Sequence, residues 1–205
     1  MAAKPYHAGH DGLVRIAAQE NDKVVVFVSD SNRDSISGAG MVQAWKELIE
    51  PVLPGNVEVV YGGGTPVAQV YKTIGDADQA GSKDTFSVYS DAEDIKKYAT
   101  LQKYAPNLMA NGQVNLRGVN RGDTVEVSGT MMRTWLDNGD RENFKKNAPK
   151  GVNGDRYWDI LQSTKLATPE PKGKKKPAAK KPAEKKPVQG ESLLREFVRL
   201  QLGQR

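Results

Sequence analysis

The sequence contains no cysteine and no long apolar run, and each absence excludes a class of protein. A chain without thiols forms neither disulfide bonds nor cysteine-based metal sites, which is typical of a reducing compartment. No apolar stretch approaches the roughly 18 residues that a membrane span needs, and the first residues lack the apolar segment of a signal peptide. We therefore expect a soluble, cytoplasmic protein without membrane contact.

Net positive charge is confined to the C-terminal part of the chain. The formal net charge is +5, yet eight lysines stand against two glutamates between Pro169 and Gly190. Because residues 191–205 are also net positive, residues 1–168 are slightly acidic as a whole. Weak, salt-sensitive contact with nucleic acid is therefore expected of the basic linker and not of the folded part.

The composition divides the chain into three segments. Residues 1–168 carry regular strand and helix patterns, whereas residues 169–190 are almost entirely Lys, Pro and Ala and are expected to be a disordered linker. Residues 191–205 are predicted to form a short amphipathic helix with an apolar side over residues 191–202. A helix of this length is not stable alone in water. We expect this helix to dock on a protein partner, on a second copy of the chain, or on its own domain.

Strand and helix patterns alternate along residues 1–168. Buried strands that alternate with amphipathic helices predict an α/β fold with a Rossmann-like, doubly wound parallel sheet. The predicted strands cover residues 23–28, 57–61, 85–89 and 114–119, and the predicted helices cover residues 11–20, 42–53, 65–74, 131–138, 141–147 and 154–162.

The two histidines of the chain share one tetrapeptide, His7-Ala8-Gly9-His10, directly before the first predicted helix. A loop that enters a helix offers unbonded backbone amides and the positive end of the helix dipole, and imidazoles add donors for phosphate oxygens. Gly9 has no Cβ to block the approach of a nucleotide. The competing interpretation is a pair of surface histidines near a frayed terminus.

A second motif, Ser128-Gly129-Thr130-Met131-Met132-Arg133, follows the short alternating run of residues 125–127. Its hydroxyls can cap a helix, the helix amides can hold an anion, and Arg133 lies one turn further in.

The pair His7-x-Gly9-His10 and Ser128-Gly129-Thr130-x-x-Arg133 resembles the two signatures of the HxGH nucleotidyltransferase superfamily. That superfamily includes the nicotinamide-mononucleotide and pantetheine-phosphate adenylyltransferases and the cytidylyltransferases. With Lys4-Pro5-Tyr6 before the first motif, the motif sequences are most similar to the versions carried by tailed bacteriophages. The compartment would then be the host cytoplasm. The resemblance extends over residues 3–162.

The resemblance implies an enzyme that transfers a nucleoside monophosphate, AMP from ATP or CMP from CTP, to a small phosphorylated acceptor with release of pyrophosphate. It implies that His7 and His10 contact the triphosphate, that Lys4 neutralises a phosphate of the acceptor or the α-phosphate, and that Arg133 binds the departing pyrophosphate. Magnesium would bridge phosphate oxygens without a dedicated site on the protein. The residues expected to bind the nucleotide or its phosphates are Gly9, Ser128, Gly129, Thr130 and Asp91.

Several of these positions have a second interpretation. Asp91 follows a strand in Ser-Asp-Ala-Glu-Asp, a pattern that is also an ordinary helix cap. Ser29 and Arg33 follow another strand, and Arg33 either reaches the acceptor or is solvated. The three glycines at 62–64 either allow a ligand to approach the backbone closely or form a turn.

The family places a strand before the histidine motif, but here only residues 1–6 precede His7. The first strand therefore looks truncated: either the recorded start lies inside the natural reading frame, or residues 2–5 suffice. In both cases we expect the N-terminus to be buried.

A non-catalytic interpretation competes with the enzyme. In it, a nucleotidyltransferase-like binding domain is tethered to nucleic acid or to a phage assembly through its basic tail and terminal helix.

Removal of residues 169–205 is expected to leave the affinity for ATP unchanged, because the phosphate-binding motifs lie in residues 1–168. Calorimetric titration of the full-length and shortened proteins measures this affinity. A large loss in the shortened protein would show that the lysines of the linker reach the nucleotide.

Overall fold

The computed structural model describes residues 4–120 and 125–167. Within them lie four strands, β1 (Val24–Val28), β2 (Val57–Tyr61), β3 (Phe86–Asp91) and β4 (Val114–Val119). The α-helices are α1 (Ala8–Glu20), α2 (Gly38–Ala44), α3 (Pro66–Gln79), α4 (Leu101–Tyr104), α5 (Pro106–Ala110), α6 (Gly129–Asn138), α7 (Arg141–Lys146) and α8 (Gly154–Ser163). A π-helical turn over Trp45–Ile49 and a 3-10 turn over Glu50–Val52 extend α2, and another 3-10 turn covers Asp94–Tyr98.

The predicted elements are present, with shifted ends. Strands β2 and β4 have the predicted bounds, whereas β3 runs two residues further, to Asp91, because it stays paired with β4 up to Val119. Helix α1 begins at Ala8 and not at Asp11, so the histidine tetrapeptide enters the helix itself. The short helical turns between β3 and β4 were not predicted, since none of them spans two full turns with a repeating apolar face.

The strands form two parallel pairs. Strand β1 pairs with β2 from Val24↔Val57 onward, and β3 pairs with β4 from Phe86↔Val114 onward. Among the described residues, no backbone ladder joins one pair to the other. The predicted α/β class is confirmed, while a single doubly wound sheet stays a prediction.

Two apolar cores match the two strand pairs. The first core lies around β1 and α1, α2, α6, α7 and α8, and its largest members include Trp45, Tyr157 and Phe144. The second, smaller core lies between the β3–β4 pair and the helices that precede and follow β3. Trp45 and Trp158 are buried and Trp135 packs against the first core, so none of the tryptophans is left as an open stacking platform.

The described N-terminal residues are buried, as predicted. Lys4, Tyr6 and His7 are each less than 5% exposed. The Tyr157 hydroxyl of α8 donates a hydrogen bond of 2.9 Å to the Tyr6 carbonyl, and the Tyr6 ring packs 4.5 Å from the Trp45 ring, centroid to centroid. The segment before α1 is therefore part of the first core.

Neither the predicted linker, residues 169–190, nor the predicted terminal helix, residues 191–205, lies within the described part of the chain. In residues 4–120 and 125–167, no helix has both the length and the apolar character needed to cross a membrane.

Replacing Tyr157 by Phe is expected to lower the free energy of unfolding by about 1–2 kcal/mol, because the buried Tyr6 carbonyl loses its donor. Urea denaturation followed by circular dichroism measures the change. Tyr104→Phe is the matched control, since Tyr104 is 55% exposed. Equal stability of the two variants would contradict a role for this hydrogen bond.

Candidate functional site

The histidine motif forms the beginning of α1. His7 is the N-cap residue with an extended backbone (φ −145°, ψ 173°), and the His10 ring lies in the first turn, 3.8 Å from the His7 ring, centroid to centroid. The Ala8 amide donates to the Asn147 carbonyl at 3.0 Å, and the Asp11 amide donates to the His7 carbonyl at 3.0 Å. The first of the helix amides expected to bind phosphate is thus used within the protein.

Asp11, directly after His10, is a buried anchor that the sequence interpretation missed. Its carboxylate accepts from Arg15 Nε at 2.7 Å, from the Lys150 amide at 3.3 Å and from the Tyr6 hydroxyl at 3.4 Å. Burial, followed by the Asp11 charge, raises the pKa of the Tyr6 hydroxyl. The available signal was the spacing of Asp11 and Arg15, four residues apart on one helix face.

The second motif forms the beginning of α6. Ser128 is its N-cap, and its hydroxyl accepts from the Met131 amide at 3.2 Å, which confirms the predicted cap. Arg133 lies one turn further in, where its Nη2 donates to the Thr130 hydroxyl at 3.0 Å. The hydroxyls of the motif therefore orient the helix and its arginine.

The two motifs meet through Arg133 and two glycines. Arg133 Nη1 donates to the Lys4 carbonyl at 2.7 Å, across 129 positions of sequence. A Cβ at Gly129 would lie 3.4 Å from that carbonyl oxygen, and a Cβ at Gly9 would lie 2.9 Å from the Val125 carbonyl oxygen. Gly9 thus permits a backbone approach that a Cβ would prevent, whereas a Cβ at Gly129 would make an ordinary contact with the Lys4 carbonyl.

Lys4 supports the loop that follows β1. Its Nζ lies 3.4 Å from Ser29 Oγ and 3.3 Å from Ser31 Oγ, and it also contacts the Ser31 carbonyl. The two hydroxyls are 2.8 Å apart. Because an ammonium group has three donors, these contacts account for all of them, and the predicted contact of Lys4 with phosphate requires an exchange of partners.

Cationic groups gather beside this loop. Burial lowers the pKa of Lys4, the Asp30 charge opposes this shift and the Arg33 charge adds to it. Burial likewise lowers the pKa of Arg133, and the charge of Arg33 contributes again. An arginine remains protonated nonetheless, so Lys4, Arg33 and Arg133 create a positive field here, partly offset by acidic neighbours.

Asp91 lies at the end of β3, and its carboxylate accepts from the Glu93 amide at 3.0 Å. This geometry is a side-chain-supported turn rather than the cap of a helix, because the following 3-10 turn has Glu93 as its N-cap. Gly62, Gly63 and Gly64 all have positive φ, which supports their interpretation as a turn. Contact of Asp91 with a nucleotide stays a prediction.

The motif side chains do not suit magnesium as a resident ion. They supply imidazole, ammonium and guanidinium groups and two hydroxyls, whereas Mg²⁺ prefers carboxylate and phosphate oxygens. Among the described residues, no group of three or more His, Asp or Glu side chains lies close enough to hold a metal.

An open depression of about 590 Å³ lies next to the loop after β1, lined by residues that include Asp30, Val42 and Lys46. A second one, of about 430 Å³, lies between α1 and the ends of β3 and β4. Neither depression is lined by the histidines or by Arg133.

No family model, no curated protein and no solved structure matches the chain. The resemblance to the nucleotidyltransferases therefore rests on the motifs of this chain alone.

Replacing Gly9 by Ala is expected to destabilise the protein by about 1–3 kcal/mol, because the new Cβ would force the Val125 segment away from the histidine motif. Gly55→Ala is the matched control, since a Cβ there would meet no atom within 4 Å. Urea denaturation compares the two variants. If Gly9→Ala is no less stable than Gly55→Ala, the close approach of the two segments is wrong.

Proposed function

We propose that the protein is a nucleotidyltransferase that transfers a nucleoside monophosphate from a nucleoside triphosphate to a small phosphorylated acceptor. One observation carries the proposal: Arg133 of the second motif donates to the carbonyl of Lys4, in the segment that leads into the histidines. Motifs with phosphate-binding chemistry thus meet although they are far apart in sequence. ATP is the donor we favour, and CTP is the alternative.

We also propose that the two strand pairs belong to one doubly wound sheet of Rossmann type. Both pairs are parallel, as that fold requires. The end of α1 also contacts β3, where the Tyr89 hydroxyl donates to Glu20 at 2.6 Å and accepts from Asn21 at 2.9 Å. A helix that packs against both pairs is expected of such a sheet.

In the proposed reaction, an oxygen of the acceptor phosphate attacks the α-phosphorus. The new P–O bond forms as the bond from the α-phosphorus to the oxygen that bridges to the β-phosphate breaks, and that oxygen leaves with its electron pair in pyrophosphate. The histidines at the start of α1 would donate hydrogen bonds to the α-phosphate, where negative charge develops. Amides of the first turn of α6 and the Arg133 guanidinium would bind the β- and γ-phosphates.

Magnesium would arrive with the triphosphate and neutralise part of its charge, because the motif side chains offer no carboxylate set to hold it. The contribution of the chain is to position the acceptor phosphate against the α-phosphate and to supply fixed hydrogen-bond donors.

The second candidate is a non-catalytic binding protein with the same nucleotide site. The observation in its favour is that the donors of Lys4, and two nitrogens of Arg133, are directed at acceptors within the protein. Such contacts suit a structural role as well as a catalytic one.

Release of pyrophosphate from ATP or CTP is expected to fall at least about a hundredfold in His10→Ala and in Arg133→Lys, because each change removes a donor that stabilises transferred charge. A coupled assay with magnesium measures it across nucleoside monophosphates, sugar phosphates and other phosphomonoesters. Lysine is used at position 133 because alanine would leave the buried Lys4 carbonyl without a donor.

Arg141→Lys is the matched control, since Arg141 makes its ion pairs with Asp155 and Asp159 away from both motifs. Turnover within a few-fold of the parent in both site variants would contradict the site. If no pyrophosphate is released with ATP or CTP and any of these acceptors, while ATP binding is retained, the binding protein is favoured.

A further inference from the structure

A tight turn brings an acidic residue to Arg133. The backbones of Arg33 and Ile36 pair in both directions at 2.9 Å, and Asp34 between them has φ of 52°. Ser35 and Ile36 are buried, and the Ser35 carbonyl accepts from the Leu166 amide at 3.0 Å. The base of the turn is therefore fixed, and it holds Asp34 in a left-handed conformation that L-residues seldom adopt.

Asp34 contacts the Nε of the Arg133 guanidinium. Its Oδ2 lies 3.0 Å from Arg133 Nε, while Nη1 and Nη2 donate to the Lys4 carbonyl and the Thr130 hydroxyl. The Arg133 side chain is 11% exposed and that of Asp34 is 64% exposed. The buried guanidinium is thus bound by two acceptors within the protein, while its counter-ion, the Asp34 carboxylate, is mostly exposed to water.

Stability alone does not account for this arrangement. A carboxylate that is mostly in water contributes little through an ion pair, and the left-handed backbone at Asp34 costs conformational energy. A strained residue at a site of concentrated charge is the pattern expected of a functional constraint.

We propose that Asp34 is an exchangeable counter-ion of Arg133, an inference that rests on the proposed function. The carboxylate pairs with Nε, and phosphate oxygens of the nucleotide or of pyrophosphate displace it when they bind. Because an anion must replace the carboxylate and approach its charge, Asp34 weakens phosphate binding and favours the release of pyrophosphate.

The test is calorimetric titration of the full chain with inorganic pyrophosphate at low ionic strength, comparing the parent protein with Asp34→Asn. Asparagine keeps the size and tolerates the left-handed backbone, but it carries no charge. We expect pyrophosphate to bind roughly fivefold more tightly or better to the variant. Asp34→Gly, which adopts positive φ without strain, should show the same gain and covers the case in which Asp34→Asn folds poorly.

Asp137→Asn is the matched control for charge. Asp137 acts electrostatically on Arg133, but its carboxylate pairs with Lys165 at 2.9 Å. We expect its affinity for pyrophosphate to stay within about twofold of the parent. An equal gain in Asp137→Asn would show an effect of net charge and would overturn the inference.

Two further results separate this inference from the proposed function. If Asp34→Asn and Asp34→Gly bind pyrophosphate like the parent while Arg133→Lys loses it, the exchange is wrong and the phosphate site stands. If the parent binds neither pyrophosphate nor ATP, the site itself is wrong and the exchange is wrong with it.

Discussion

The buried guanidinium of Arg133 is the constraint on which the candidate site depends. A cation taken out of water is tolerated only when its donors find acceptors, and here a backbone carbonyl, a hydroxyl and a carboxylate supply them. Each acceptor comes from a different segment: Lys4 before α1, Thr130 in α6, and Asp34 in the loop after β1. Satisfying one side chain therefore fixes three parts of the chain relative to one another.

The loop after β1 is where the two cationic residues converge. Lys4 contacts two serines of the loop, Ser29 and Ser31, while Arg133 contacts Asp34 further along the same loop. The helix that follows this loop, α2, packs closely against Thr164 at Gly40, where a Cβ would meet the threonine hydroxyl at 1.9 Å. In the proposed reaction, positive charges held in place in this way would meet the condition for electrostatic stabilisation of a transferred phosphate.

Local features of the fold could be predicted because neighbouring residues encode them. The cap at Ser128 follows from a hydroxyl at a helix start, and the bounds of β2 follow from a short valine-rich run that is followed by glycine. The early start of α1 could not be predicted in this way. Its first turn is stabilised by the Asn147 carbonyl, which comes from a distant part of the chain.

By itself, the sequence determined the two motifs, their order, and the α/β alternation around them, because motif spacing and hydrophobic period are properties of adjacent residues. Only the tertiary structure decided which groups the motif residues contact. It directs Lys4 to a serine loop, pairs the buried Asp11 with the Lys150 amide, and brings Asp34 to Arg133. These pairings join segments far apart in sequence, and they arise because a buried charge must find its partner wherever the packed chain supplies one.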